Sequence, residues 1–223
     1  MRLLVVNPNT SAGVTRAIGR AARAAAGPDD VVEAVSAPFG PALIVTEADA
    51  AQAERAVLAC VEARAADVDR IVLASFGDTA IDAVRARVPV PVVGIARAAF
   101  LAAMAAGERF SIVSFGPEVE PSLRAIVARY GLTSRLASLR VLEGARWEDP
   151  AEIATRLVEP LADLCARTEA DGCDAIVLGG GPLAGLAPAI APRLRVPLID
   201  GVVAAVALQR ALVAPRRAPP PPA

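Results

Sequence analysis

The chain has 223 residues, 55% of them hydrophobic but only 3% aromatic, and carries a net charge of −1. It is long enough to bury a large core of Ala, Val, Leu and Ile, and the near-neutral charge gives no electrostatic reason to expect nucleic acid or an anionic membrane as partner. There is no His and no Lys, so all 23 basic residues are Arg, which excludes a Ser-His-Asp triad, a Cys-His pair, a His-ligated zinc, a lysine Schiff base and a Walker-type lysine.

In chain order, Arg2 to Val6 is an apolar strand ending in Asn7-Pro8-Asn9-Thr10-Ser11. Thr10 or Ser11 caps a helix that runs to about Ala26 and stops at Gly27-Pro28. Val31 to Val35 is a second strand, and a helix from about Thr46 to Ala66 carries Cys60. The strand beginning at Asp69 breaks into Ser75-Phe76-Gly77-Asp78. A helix from Asp82 to Arg87, a strand from Val92 to Ile95 and a linking helix from Ala98 to Ala106 follow. The second half repeats this plan. It has a strand from Phe110 to Ser114, a helix from Val119 to about Tyr130 and a strand near Ala137 to Val141. A long helix from Pro150 to Ala166 precedes strands at Ala175 to Gly179 and Pro197 to Ile199. A helix from Gly201 to Val213 closes the chain ahead of a proline-rich tail. Such a tail reads as disordered.

The two halves are similar in sequence as well as in plan. DRIVLASFGDTA (69–80) and DAIVLGGGPLAG (174–185) align at an offset of 105, and Cys60 falls on Cys165 at the same offset. The strands that follow align only after a one-residue shift, with Val90 on Val196. A repeat of this length exceeds the ~20–50-residue period of a solenoid unit. It predicts an α/β fold of two pseudo-symmetric lobes, 1–97 and 98–200, each a three-layer unit with a parallel sheet. The helix of 201–214 is expected to pack back on the first lobe, leaving 215–223 as the tail.

Ligands bind beyond the carboxyl ends of strands in such sheets. That rule selects Asn7, Asn9 and Thr10, Ser75 to Asp78, Ser114 and Phe115, and Gly179 to Pro182, all facing one cleft. The Gly179-Gly180-Gly181 turn offers backbone N–H groups to an oxyanion or carboxylate, or simply lets a helix pack closely. Asn7 and Asn9 bind a ligand or cap an Asx turn. Asp78 is the carboxylate nearest Ser75 in sequence and the candidate base, or else a helix cap. The three cysteines show no metal-ligand spacing and read as small buried hydrophobes, so no metal is expected. The longest apolar runs fall short of the ~20 residues of a membrane span, and the opening MRLLVVNPNT lacks the regions of a signal peptide, so a cytoplasmic protein is expected.

These motifs resemble the aspartate/glutamate/hydantoin racemase superfamily across nearly the whole chain. The matching stretches are Asn7 to Ser11, Phe76 to Asp78, Val90 to Ala96, the Phe110 strand, Ile176 to Ala187 and Val196 to Val202, and they sit nearest the hydantoin and allantoin racemase branch. The resemblance implies a site between the lobes, no cofactor, a small carboxylate or cyclic ureide as ligand, and a homo-oligomer of at least two chains. It also implies two thiols, one per lobe, that remove and return an α-proton from opposite faces. Their positions are Ser75 and Gly180 in this chain, so the two-thiol mechanism is not carried over. Three readings stay open: an enzyme working beside a carbonyl without cysteine, a binding protein derived from one, and a subunit completed by another chain. For the first, isomerisation, decarboxylation and ring opening are all compatible with the residues.

Overall fold

The computed structural model describes residues 1–44, 46–144 and 156–212. The expected start of the long helix at Pro150 and the proline tail lie outside these residues. The first lobe comprises β1 (Arg2–Asn7), α1 (Ala12–Ala25), β2 (Val31–Ser36), α2 (Glu47–Glu62), β3 (Arg70–Leu73), α3 (Ile81–Arg85) and β4 (Val92–Gly94). Helix α4 (Ile95–Ala106) leads to β5 (Phe110–Phe115), α5 (Glu120–Arg129), β6 (Leu136–Leu142), α6 (Val158–Thr168), β7 (Ala175–Leu178), α7 (Ala187–Ile190), β8 (Leu198–Asp200) and α8 (Gly201–Ala211).

The strands form two parallel four-stranded sheets of identical plan, β2-β1-β3-β4 and β6-β5-β7-β8. The one-residue shift seen in the sequence is present in the register. Ile71 pairs with Val92 and Ile176 with Leu198, so the first partners differ by 105 and the second by 106. The central strands β1, β3, β5 and β7 are mostly apolar and largely buried because helices cover both faces, with Ser111 and Ser114 as the polar members of β5. Alternation then divides each strand between two cores. Leu3, Val5, Val72, Phe110, Ile112, Ala175 and Val177 face a central layer with α1, α4, α5 and α8. Leu4, Val6, Ile71 and Leu73 face α2 and α3, and Val113, Phe115, Ile176 and Leu178 face α6. Each fully buried Leu, Ile or Val in these layers contributes roughly 1.5–3 kcal/mol relative to exposure.

Helix ends decide what faces the cleft. Ser11 caps α1, its hydroxyl accepting the Val14 N–H at 3.4 Å. Thr46 and Asp49 close a capping box at the start of α2. Helix α4 begins at Ile95, three residues before the expected Ala98, so the 97/98 lobe boundary falls inside it. The cause is Asp78, which caps α4 from a different segment and draws the chain into helix directly after β4. Helix α8 packs on α1, α4 and the edge of the first sheet, where the Gln209 amide donates to the Ile71 and Pro91 carbonyls.

Candidate functional site

A cleft of about 720 Å³ opens at the carboxyl ends of the strands, between the lobes. It is lined by Asn7, Asn9, Ser75, Phe76, Gly77, Asp78, Ser114, Phe115, Gly179, Gly180, Gly181 and Pro182. Thr10 is the one sequence-selected residue outside the lining: it is exposed, and its N–H ties the loop to the Pro41 carbonyl at 3.1 Å. The signature loops touch, since a Cβ at Gly181 would stand 2.9 Å from the Ala74 oxygen. Glycine is therefore required at 181 by the approach of the other lobe. At Gly179 an added Cβ would meet the Ile112 side chain at 2.7 Å, so that glycine serves strand–loop packing. Gly180 is different. Its φ is 158°, yet an added Cβ would make only ordinary contacts with Pro182 and Leu183.

The floor of the cleft is rich in hydrogen-bond donors. Among the described residues no acceptor pairs with the backbone N–H of Ser75, Phe76, Gly77, Gly180 or Gly181. Five such groups, on two loops that both line the cleft, are a donor set suited to an oxyanion or a ligand carbonyl. The Asn9 amide nitrogen also has no partner among the described residues, whereas the Asn7 amide is spent on Asn9 Oδ1 (2.8 Å), Thr15 Oγ1 (2.9 Å) and the Ser11 carbonyl (3.3 Å). Asn9 Oδ1 in turn accepts the Ser11 N–H at 2.9 Å. Both asparagines thus shape an Asx-type turn, and Asn9 alone keeps a donor for the cleft. Ser114 is buried, its hydroxyl donating to the Gly179 carbonyl at 2.6 Å and fixing the second loop.

Ser75 and Asp78 do not face each other through their side chains. The Ser75 hydroxyl donates to Thr79 Oγ1 at 2.9 Å and accepts the Thr79 N–H at 3.1 Å. Asp78 is fully buried and accepts three bonds, from the Ala96 N–H (3.0 Å), the Arg97 N–H (3.1 Å) and the Tyr130 hydroxyl (2.6 Å). Burial pushes its carboxyl above the usual range, opposed by those donors. Tyr130 is raised too, by burial and then by the Asp78 hydrogen bond. Among the described residues, Asp78 and Ala80 are the two non-glycine residues at positive φ, 47° and 66°. Such strain persists only where the surroundings over-determine it, as they do here.

All three cysteines are buried, and none lines the cleft. Cys60 and Cys165 sit on the outer helices α2 and α6, and burial raises both thiols, that of Cys165 to about 12. No motif in the sequence marks the cleft's side walls. Leu43, Ile44, Thr46, Glu47 and Glu54 come from the β2–α2 segment, and Val119, Pro121, Ser122, Leu123, Ala125, Ile126 and Arg129 from α5 and its approach. The α5 residues are ordinary amphipathic-helix material, and Leu43 and Ile44 sit in a loop without a motif; only the position of α5 after the second lobe's first strand pointed to its part of the wall. Tyr130, the partner of Asp78, lies 52 residues away in sequence.

Comparison with known proteins places this geometry. Residues 3–209 match the family described as Asp/Glu/Hydantoin racemase. The chain is 34% identical over 218 residues to a hydantoin racemase of Paenarthrobacter aurescens, covering 96% of this chain and 92% of that one. It superposes on an allantoin racemase from Klebsiella pneumoniae with a TM-score of 0.87 and 40% identity, over 96% of this chain and 88% of that one. An allantoin racemase from Pseudomonas fluorescens gives a TM-score of 0.87 and 31% identity, over 95% of this chain and 90% of that one.

Proposed function

The chain belongs to the Asp/Glu/hydantoin racemase family, and from that premise we propose a cofactor-independent enzyme acting at the carbon beside a carbonyl of a small cyclic ureide or carboxylate, without a pair of thiols. The observation that carries the proposal is the donor floor, in which both signature loops line the cleft, touch each other and carry N–H groups with no acceptor among the described residues. Removing an α-proton leaves negative charge on the neighbouring oxygen. Preorganised N–H donors in a sheltered cleft stabilise that charge more than they stabilise the neutral ligand. The same floor would hold the enolate left by a decarboxylation. The α-proton leaves to solvent water in the cleft and returns from it, with Ser75 on the cleft wall, and Asp78, saturated by three donors, anchors the loop instead of taking the proton. Assembly as a homo-oligomer, taken from family resemblance, and a cytoplasmic location, taken from the shortness of the apolar runs, are parts of the same proposal.

A second reading has its own support. The side chains nearest to where thiols would stand are either tied down (Ser75) or absent (Gly180), which suits a protein that binds the ligand without turning it over. Incubation with both enantiomers of 5-benzylhydantoin and of allantoin in deuterated water separates the two readings by NMR. The enzyme reading expects loss of the α-proton signal faster than in protein-free buffer. Binding measured by calorimetry with no exchange above that background would reject it in favour of the binder.

A further inference from the structure

Each signature loop reaches across to the other lobe's first helix, and the two crossings are built differently. The loop after β7 rests on α1 through contact alone. An added Cβ at Gly181 would stand 3.5 Å from Ile18 Cδ1, one at Gly185 3.7 Å from Ala21 Cβ, and Leu183 between them is fully buried. Opening that seam exposes apolar surface along its whole length. The segment after β3 meets the end of α5 through polar groups as well as through the apolar layer that holds Phe76. The Tyr130 hydroxyl donates to Asp78 Oδ2 at 2.6 Å, and Arg129 pairs with Asp82 at 2.7 Å. The ion pair is exposed, with 42% and 77% of its side chains open to solvent, so water screens it. The Tyr130 bond ends on a carboxylate that water does not reach, and such charge-assisted bonds are the strong ones. Around it the Tyr130 ring stands edge-on to Phe100 at 5.9 Å, with the Arg97 guanidinium 5.9 Å from its centroid.

We propose that Tyr130 is a positioning residue whose hydroxyl, by donating to Asp78, holds α5 against the loop that supplies the Ser75, Phe76 and Gly77 donors. The bond sets the distance between the α5 wall, with Leu123 and Ile126, and the floor of the cleft. Tyr130 itself does not line the cleft, so it acts through Asp78 and not by touching the ligand. The proposal rests on the reading that this cleft is the ligand site, but its primary test needs no ligand.

Tyr130→Phe keeps the ring contacts and deletes only the O–H. Backbone hydrogen exchange followed by mass spectrometry is expected to rise about tenfold or more in α5 and at the bonded amides of Asp78, Thr79 and Ile81 together, the factor a lost hydrogen bond to a charged group implies. Exchange in α1 and the 180–185 loop should stay at the native rate. Arg129→Ala, on an exposed pair that folding does not depend on, should raise the same two segments by a smaller factor. Unchanged exchange in Tyr130→Phe, or an equal rise at both seams, overturns the proposal; if that variant does not fold, Asp78→Asn, which keeps the acceptor's shape and removes its charge, decides by the same two criteria. Tyr130 is the single tyrosine of the chain, so ¹³Cζ-tyrosine gives one resonance, which 5-benzylhydantoin should shift in the native protein. A merely structural role would lower the melting temperature of Tyr130→Phe and leave affinity for 5-benzylhydantoin unchanged, whereas positioning lowers that affinity about tenfold. Should the native protein bind no hydantoin at all, the functional reading fails while the exchange pattern still decides the role of Tyr130.

Discussion

In the first lobe the helix after the last strand starts at Gly94, which has no side chain to offer its free N–H groups. In the second lobe the matching position in the register is Asp200. The first lobe borrows Asp78 from the loop after β3, whose carboxylate accepts the second and third N–H groups of α4. The second lobe caps α8 with Asp200 itself, which accepts the same two N–H groups, of Val202 and Val203, and reaches out to the Gly185 N–H at 2.5 Å. One link between loop and helix is thus made twice, with the carboxylate supplied from opposite ends. The consequence is local: only the first lobe's cleft loop carries a buried charge and two left-handed non-glycine residues, Asp78 and Ala80, where the second lobe has Leu183 and Gly185.

Substitutions that reverse this arrangement should have the largest effects. A methyl at Gly94 would land inside the Asp78 carboxylate, so Gly94→Ala must displace a buried, fully bonded charge. We expect a loss of about 3 kcal/mol, at the upper end for overpacking, read as a lower urea midpoint. Moving the cap onto the helix in the same chain, as Gly94→Asp with Asp78→Ala, should recover part of that loss if the two lobes are equivalent solutions; no recovery would break the comparison.

Removing either carboxylate is the next test. Asp78→Ala strands three donors and Asp200→Ala strands three others, so each should cost roughly 1–3 kcal/mol. The asymmetry predicts that only Asp78→Ala loosens the α5 seam as well, visible as faster hydrogen exchange there. Equal exchange patterns in the two variants would erase the distinction between the lobes.

The smallest effect belongs to the second lobe's outer face. Asp171 is held down to about 2, first by the Arg140 hydrogen bonds and then by that of Ser138. Its ordinary value is 3.8, so the stability it contributes is complete above that value and disappears as pH falls from about 4 to about 2. Asp78 and Asp200, raised by burial, carry the opposite sign and cannot produce an acid loss. Asp171→Asn should therefore flatten the decline in melting temperature over that interval, by about 1 kcal/mol or less at this partly exposed pair.

Much of this was legible in the sequence because the repeat is carried by buried strands, where any change of pattern would turn a side chain to the wrong face. Ile71-Val72-Leu73 and Ile176-Val177-Leu178 fixed the lobes, the parallel sheets and the one-residue shift between them. The loops at the strand ends followed from topology alone. The partners of those loops were not legible. Asp78 is followed by a helix in sequence but caps a different one, a choice made by three-dimensional proximity to Ala96 and Arg97. Nothing in the helix pattern of α5 marks Tyr130 as the donor to Asp78, because an aromatic at the end of an amphipathic helix ordinarily just packs. The cleft walls from Leu43 and Ile44 and from Val119 to Arg129 escaped for the same reason.

The most direct measurement is a crystal structure of the native protein with 5-benzylhydantoin bound. The account predicts a ring carbonyl oxygen within hydrogen-bonding distance of N–H groups from both the Ser75–Gly77 and the Gly180–Gly181 loops, with the α-carbon between positions 75 and 180. A ligand bound away from those loops, or contacting only one of them, would contradict it.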